Sequence, residues 1–309
     1  MKVVYLGTSG FAVAVLRRLA GSSHRPLLVV TPPDRPSGRG RKLTPSPMTA
    51  AAGELGIELH QTAQVSDQGS VDRVRASGAE IGVVCAFGQL IREPLLSELE
   101  MLNVHPSLIP RWRGAAPIER AIMAGDTETG VSIMRIGAGL DSGPVALQER
   151  TPIEPEFDYG SLSARLAELG GELVVRALDL RASGELEFTD QDESLATYAE
   201  KIAPAERRLD PARPAVELER IVRALNPHIG AYLELHGGER LGVRAAAAED
   251  GALPPGQLAA DGRALRLGCA EGVLRLCVVQ PAGRRPMEAD AYLRGHPLPR
   301  VAAEPERGK

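Results

Sequence analysis

EIGVVCAFGQLI (residues 80–91) is an apolar run of strand length, and soon after it the chain reads NVHPSLIPRWR (103–113). A nearly continuous run of branched apolar residues, without polar alternation, fits a strand covered on both faces, as in the middle of a parallel sheet. KVVYLG (2–7) and PLLVVT (26–31) are strands of the same type, and TSGFAVAVLRRLA (8–20) between them has helical spacing. A proline-rich loop, PPDRPSGRGRKLTPSP (32–47), leads into a helix through about Leu55, and SLSARLAELGGELVVRALDLRA (161–182) has helical spacing again. Strands alternating with helices predict an open α/β sheet. Ligands of such sheets bind beyond the carboxyl ends of the strands, where Gly7, Thr31, Phe87 and the Asn103 loop would fall.

The texture changes after residue 182. GELEFTDQDESLATYAEKIAPAERRLDPARPA (184–215) is polar, proline-bearing and weakly periodic, as a linker would be. Beyond it, AYLELHGGERLGVRAA and GQLAADGRALRLGCAEGVLRLCVVQPAG read as short strands with glycine turns, the pattern of a small β-barrel. Residues 207–309 carry 16 basic and 13 acidic side chains, or +3, while the rest carries 20 against 27, or −7. A mildly positive second domain beside an acidic first one is compatible with an electrostatic docking surface.

The 309 residues are 43% hydrophobic with a net charge of −4, enough for one or two substantial cores and too acidic for a uniformly basic nucleic-acid protein. MKVVYLGTSGFAV has no signal-peptide pattern, and no apolar run approaches the roughly 20 residues of a membrane helix. Cys85, Cys269 and Cys277 show no CxxC spacing and read as core residues in a reducing compartment, so a cytoplasmic location is expected.

Gly7-Thr8-Ser9-Gly10 follows a strand and opens a helix, which invites a dinucleotide reading. That fingerprint needs a third glycine and an acidic residue near the end of the second strand. GTSGFA lacks the third glycine, and strand two ends in Thr31-Pro32-Pro33. A tight strand-to-helix turn is the better account.

Asn103 and His105 lie two residues apart, so on extended backbone their side chains share one face, and Pro106 keeps His105 out of a helix. Asp141 follows GAGL (137–140), whose glycines permit close approach to a neighbour. An amide, an imidazole and a carboxylate at a strand end can serve a tetrahedral intermediate at a carbonyl carbon. Asn103 and protonated His105 would donate to the oxyanion, and Asp141 would orient the ring and relay a proton. From the residues alone, Asp141 could equally be structural. No Ser or Cys is placed as a nucleophile, since Ser107 is two residues past the histidine and Cys85 lies within an apolar strand. That favours direct attack by a substrate amine on a bound acyl donor. His24, His60, His228, His236 and His296 show no HxH or HExxH spacing, so no metal is expected.

The block NVHPSLIPRWRGAAPIERAIMAGDTETGVSIMRIGAGLDSG (103–143) closely resembles the 10-formyltetrahydrofolate-dependent formyltransferases, whose sites carry an Asn, a His in HxSLLPxxRG and an Asp in a later loop. Here these match Asn103, His105 and Asp141. TPPDRPSGRGRKLTPSPM (31–48), Ala86-Phe87-Gly88, TYAEKI (197–202), IVRALNP (221–227) and VVQPAGRRPM (278–287) extend the match over nearly the whole length. The resemblance implies a Rossmann-like formyltransferase domain over 1–188, a linker over 189–206, and an OB-like β-barrel domain that binds tRNA over 207–309. It implies formyl transfer from 10-formyltetrahydrofolate to the methionine α-amino group of initiator methionyl-tRNA. The folate would lie against Phe87, Gly88, Gln89 and Leu90, against Ser107, Leu108, Ile109 and Pro110, and against Gly137, Ala138, Gly139 and Leu140. In this family the loop after strand two enters the acceptor arm of the tRNA. Here it carries Arg35, Arg39, Arg41 and Lys42 against one acid, Asp34, a composition suited to RNA backbone. A monomer is the default expectation.

Three residues depart from the family pattern. Ile109 stands where leucine is usual, Ser9 where proline commonly follows GT, and Pro106 where glycine is frequent. Pro106 removes an N–H and stiffens the turn. Glycinamide ribonucleotide and amino-sugar formyltransferases share the Asn/His/Asp chemistry, but neither needs GRGRKL in the loop. A folate-dependent hydrolase would leave that loop and the barrel unexplained. A pure RNA-binding protein would leave Asn103 and His105 idle, and with 3% aromatics it would have few stacking platforms.

Overall fold

All five residues of β1 (Val3–Gly7) are buried, and this strand sits inside a seven-stranded sheet. The computed structural model describes residues 1–37 and 42–302. The first half continues through α1 (Gly10–Ala20), β2 (Pro26–Thr31), a hairpin of β3 (Arg35–Ser37) and β4 (Lys42–Thr44), α2 (Pro47–Leu55) and β5 (Glu58–Gln61). Then come α3 (Gln68–Ala76), β6 (Ile81–Cys85), α4 (Leu95–Glu98), β7 (Met101–His105), β8 (Arg113–Gly114) and α5 (Pro117–Ala124). β9 (Glu128–Arg135), β10 (Val145–Pro152), α6 (Tyr159–Ser183) and β11 (Tyr198–Ala199) complete this part.

The sheet order is β10-β9-β7-β6-β1-β2-β5. The five strands from β7 to β5 are parallel, while β9 runs antiparallel to β7 and β10 antiparallel to β9. The chain lays β2 and β5 on one side of β1 and returns to lay β6 and β7 on the other. Strand order therefore reverses between β1 and β6, a topological switch point. The open α/β sheet expected from the sequence is the fold observed.

Side chains alternate across the sheet. Val4 and Leu6 join Leu28, Val30, Val71, Val74, Val84 and Phe87 in one apolar layer. Tyr5 points the other way and its hydroxyl donates to the Ala12 carbonyl of α1 at 2.6 Å. On that side Gly170 and Gly171 let α6 come close: a Cβ at Gly170 would stand 2.9 Å from Val104 Cγ1, and one at Gly171 2.8 Å from Arg18 Cβ. Gly7 is confined in the same way, since a Cβ there would lie 2.9 Å from Ala12 Cβ and 3.1 Å from the Cys85 carbonyl oxygen. The glycine serves the tight turn that the sequence favours over a dinucleotide site. Ser9 caps α1 by accepting from Ala12 N at 3.3 Å, a use that explains serine where the family commonly has proline.

The chain divides into two compact units that interleave in sequence. The first takes Met1–Pro117, Glu128–Pro152 and Ser163–Ala199; the second takes Ile118–Thr127, Ile153–Leu162 and the chain from Glu200 onward. Within the second unit, α7 (Ala215–Leu225), β12 (Ala231–Glu234), β13 (Arg240–Glu249), β14 (Leu258–Asp261), β15 (Ala264–Gly268), β16 (Val273–Pro281), β17 (Met287–Glu288) and α8 (Ala289–Gly295) follow in order. The strands form an antiparallel sheet in the order β12-β13-β16-β15-β14, with β17 on β16. Among the described residues no ladder joins β14 to β12, as in the partly open form of small OB-like barrels. Leu218, Ile221, Val222 and Leu225 place one stripe of α7 into a core with Leu233, Leu241, Val243, Leu265, Leu274 and Leu276.

Among the described residues, no helix is long and apolar enough to cross a membrane. Cys85 is wholly enclosed, and burial pushes its thiol up to about 12, against a smaller opposing effect of the Tyr5 hydroxyl. At pH 8 native Cys85 should therefore resist iodoacetamide, while the partly exposed Cys277 labels first. Peptide mass analysis of native and denatured protein checks this. Equal labelling of both thiols in the native state would refute it.

Candidate active site

β7 runs beside β6 with Asn103 opposite Val84, so its carboxyl end opens next to the loop that follows β6. Extended backbone puts Asn103 and His105 on a common side, and the 136–144 loop brings Asp141 to them. Asn103 Nδ2 donates to Asp141 Oδ1 at 3.4 Å, and His105 Nδ1 lies 3.7 Å from Asp141 Oδ2. The structure thus brings together the three polar residues read from the sequence, across 38 positions of chain.

His105 is buried, and its Nε2 lies 2.9 Å from the Trp112 carbonyl oxygen. A carbonyl only accepts, so Nε2 carries a hydrogen and Nδ1 is the nitrogen turned toward Asp141. Asp141 Oδ2 also accepts from the Gly114 amide at 2.8 Å. The carboxylate is therefore held by a backbone donor on one oxygen and by Asn103 on the other.

Three non-glycine residues have left-handed φ among the described residues: Ala86 at 44°, Trp112 at 63° and Asp141 at 46°. One follows β6, one supplies the carbonyl that holds His105, and one supplies the carboxylate. Such conformations cost on the order of 1–3 kcal/mol each and persist only where surrounding contacts enforce them. At Trp112 the enforcing contact is its amide donating to Thr197 Oγ1 at 2.9 Å.

The turn after His105 is built from inside. Ser107 N donates to the His105 carbonyl at 2.9 Å, and Ser107 Oγ donates to the Arg111 carbonyl at 2.7 Å. Ser132 of β9 then clamps the turn: its hydroxyl donates to the Ser107 carbonyl at 2.6 Å and accepts from Ile109 N at 3.2 Å and Gln148 Nε2 at 2.8 Å. Gln148 Nε2 reaches the Ile109 carbonyl as well, at 2.7 Å. Arg113 is 1% exposed; its guanidinium donates to Gln191 Oε1 and to both carboxylate oxygens of Glu193, at 2.8–3.0 Å. That guanidinium holds the Glu193 carboxyl below its ordinary range. Ser132, Gln148, Arg113 and Gln191 were not among the site residues read from the sequence. A polar residue within the apolar stretch VSIM (131–134) is the one signal that could have found Ser132.

The expected folate residues differ in exposure. Phe87 is buried, with its carbonyl accepting from Thr8 Oγ1 at 2.8 Å, and Gly88 turns at φ 75°. Gln89 uses its amide internally, accepting from Val65 N at 2.9 Å and donating to the Thr62 carbonyl at 2.8 Å. Ser107 and Ile109 are buried, Leu108 and Pro110 half-buried, and Gly137, Ala138 and Gly139 exposed. Leu90 and Leu140 are large apolar side chains left 68% and 63% exposed.

Of the basic loop residues, Arg35 lies in β3 and Lys42 in β4, whose backbones pair antiparallel. Arg39 and Arg41 lie outside the described residues. Asp34, the one acid of the loop, accepts from Ser46 N and Thr49 Oγ1 at 2.8 Å each, and these bonds, the Ser46 amide first, hold its carboxyl below its ordinary range. In the second unit, Arg207, Arg240 and Arg244 line a cleft of about 200 Å³ with Tyr232 and Gln280. Each arginine has a neutral partner: Arg207 the Ile229 and Gly230 carbonyls, Arg244 the Gln280 amide, and Arg240 the face of Tyr232 at 4.5 Å. Among the described residues, no acidic side chain lines this cleft.

Comparison with known proteins covers both units. The formyl transferase family model matches residues 1–178, and the model of the formyl transferase C-terminal domain matches residues 201–297. A protein of Methylobacterium nodulans described as methionyl-tRNA formyltransferase is 44% identical over 96% of this chain and 97% of its own length. One of Ectopseudomonas mendocina with the same description is 44% identical over 94% of each. Among solved structures, HypX of Aquifex aeolicus in complex with tetrahydrofolic acid superposes with a TM-score of 0.65 at 18% identity, over 95% of this chain and 47% of that one. An N-formyltransferase of Helicobacter canadensis in complex with folinic acid and dTDP-3-aminofucose gives 0.66 at 14% identity, over 89% of this chain and 98% of that one. These two share the fold.

Replacing Ser132 by Ala leaves the Ser107 carbonyl and the Ile109 amide without their buried partner. A loss of about 1–3 kcal/mol of stability is expected. Urea unfolding measures it, and an unchanged midpoint would show that the hydroxyl does not hold the turn.

Proposed function

The chain belongs to the methionyl-tRNA formyltransferase family, and from this premise we propose how its residues transfer the formyl group of 10-formyltetrahydrofolate to the methionine α-amino group of initiator methionyl-tRNA. The observation that carries the reading is the convergence of Asn103, His105 and Asp141 at one strand end, in a chain that follows these relatives over nearly its full length.

The neutral methionyl amine attacks the formyl carbon on N10 of the folate, and the carbon becomes tetrahedral. Negative charge gathers on the former carbonyl oxygen, where Asn103 Nδ2 donates. His105 donates there from Nδ1 when protonated, because Nε2 is already bound to the Trp112 carbonyl. Asp141 takes the proton that the attacking nitrogen must lose. The oxyanion then re-forms the carbonyl as the carbon–N10 bond breaks, its electrons going to N10, which takes the proton held by Asp141, and tetrahydrofolate and formylmethionyl-tRNA are released. Fixed donors in a site partly closed to water need little reorganisation as charge develops, and this is their advantage over solvent.

The residues suit a flat folate. Leu90 and Leu140 offer exposed apolar surface on two loops of the site unit, and the left-handed Ala86 and Gly88 leave backbone open beside Phe87. The chemistry supplied by the folate when bound is an activated formyl group on an aryl amine. For tRNA, we assign Arg35, Arg39, Arg41 and Lys42 to the acceptor arm and the Arg207–Arg240–Arg244 cleft to backbone phosphates. Among the described residues the cleft is lined by arginines and no carboxylate, which supports this.

Transfer of labelled formyl to initiator but not elongator methionyl-tRNA is the expected result, and formate release without labelled tRNA would overturn the assignment. Asn103→Ala and Asp141→Ala should each lower kcat by about 10²–10³-fold, as loss of an oxyanion or proton-relay group does, with folate affinity within about threefold of wild type. Stopped-flow transfer at saturating folate, with separate folate titration, checks this; a loss confined to folate binding would remove both from the chemistry. Arg39→Ala and Arg41→Ala should raise KM for tRNA and each flatten the salt dependence of binding by about one unit of slope. If they weakened folate instead, the loop would belong to the other ligand.

A further inference from the structure

Asp141 performs its role from a left-handed backbone conformation, φ 46°, which non-glycine residues adopt uncommonly and at a cost. Its carboxylate is tied by Gly114 N, but that bond does not fix its main chain. The main chain is fixed by Gln191, whose Nε2 donates to the Asp141 carbonyl at 2.9 Å and to the Gly143 carbonyl at 2.7 Å. One amide group thus spans the loop on both sides of Ser142. Gly143 lies against the Arg135 carbonyl, where a Cβ would collide, and Arg135 N donates to the Pro144 carbonyl at 2.9 Å, so the far end of the loop is anchored to β9.

The orientation of the Gln191 amide has one solution. On one side stand two carbonyls, which only accept; on the other stand Arg113 Nε at 3.0 Å and Nη2 at 2.8 Å, which only donate. The oxygen must face the guanidinium and the NH₂ must face the loop. Arg113 cannot turn away, because Glu193 takes two further bonds and backbone bonds join β8 to β11: Arg113 N donates to the Thr197 carbonyl at 2.9 Å. Gly114, the next residue, is the one whose amide holds the Asp141 carboxylate. A single buried arginine therefore governs both attachments of the loop, one through its neighbour's N–H and one through Gln191.

The geometry points to Gln191 as a positioning residue for the transfer reaction. It keeps the Asp141 main chain left-handed so that the carboxylate stays between Asn103 and His105, and Arg113 in turn orients Gln191. This inference rests on the catalytic reading of Asp141. The Gln191 amide is taken up by Arg113, Asp141 and Gly143, and the chemistry that requires it is the close spacing of three side chains, in which a shift of about 1 Å costs up to about 10²-fold in rate.

The test is a double-mutant cycle on the full-length protein. Gln191→Ala should lower kcat for formyl transfer by about 10–100-fold, with KM for folate and tRNA within about threefold. In the Asp141→Ala background the same change should cost less than about twofold, because the group it positions is gone. Gln191→Glu keeps size and shape but turns an acceptor toward the two loop carbonyls, so it should lose as much rate as the alanine variant. An equal loss in both backgrounds, or a loss seen only in KM, would overturn the proposal. Amide hydrogen exchange gives a reading independent of activity: in Gln191→Ala, residues 137–143 should exchange at least about tenfold faster while β1, β6 and β7 stay protected. Unchanged exchange in that loop would overturn the positioning itself. If the loop loosens as expected but wild-type protein transfers no formyl group, the assigned reaction fails and the positioning does not.

Discussion

An arginine that is 1% exposed has to pair its charge, and around Arg113 this requirement organises much of the site. An unpaired buried charge costs several kcal/mol, so the side chain must collect acceptors wherever the chain can bring them. It collects Gln191 and Glu193 from a segment almost eighty residues later. In doing so it lays that segment along residues 113–115, where Arg113 N and Ala115 N donate to the carbonyls of Thr197 and Ala199. Thr197 then holds the strained Trp112, and the Trp112 carbonyl holds His105. The imidazole, the carboxylate and the turn between them are thus placed by one buried charge.

The site depends on main-chain groups as much as on side chains. The Trp112 carbonyl selects the histidine nitrogen that carries hydrogen, and the Gly114 amide holds an aspartate oxygen. Neither is visible in residue identity. Both depend on left-handed backbone, at Trp112 and Asp141, that internal hydrogen bonds keep in place. Rigid placement of this kind suits a reaction whose acceleration comes from donors fixed before charge appears.

The sequence made the frame of the sheet legible because β1, β2 and β6 are short, nearly continuous apolar runs set among segments of helical spacing, the pattern of strands covered on both faces. It also made Asn103 and His105 legible, since polar groups two apart at the end of such a strand share one face. Asp141 became legible only through the likeness to a family, because GAGLD by itself fits any tight loop. What stayed hidden depends on long-range pairing. FTDQDESLATY (188–198) reads as a polar linker because Gln191 and Glu193 show no local partner in the sequence; they find theirs in Arg113, far away along the chain. Ser132 likewise sits in an apolar strand, and its three bonds go to a turn and a neighbouring strand rather than to its own segment.

Pro106 shows how the same logic handles a departure from pattern. A proline beside the catalytic histidine removes one donor, which would matter if this turn presented its amides to a ligand. Three of the turn's amides bond within the protein: Ser107 N goes to the His105 carbonyl, Ile109 N to Ser132 Oγ of β9 and Arg111 N to the Leu108 carbonyl. A rigid residue at 106 therefore limits the backbone freedom of a turn whose amides at 107, 109 and 111 already bond internally, at no cost to the three polar groups that face the chemistry. Stiffening here and clamping at Gln191 act on opposite sides of the same imidazole–carboxylate pair, so each limits the drift that the other leaves possible.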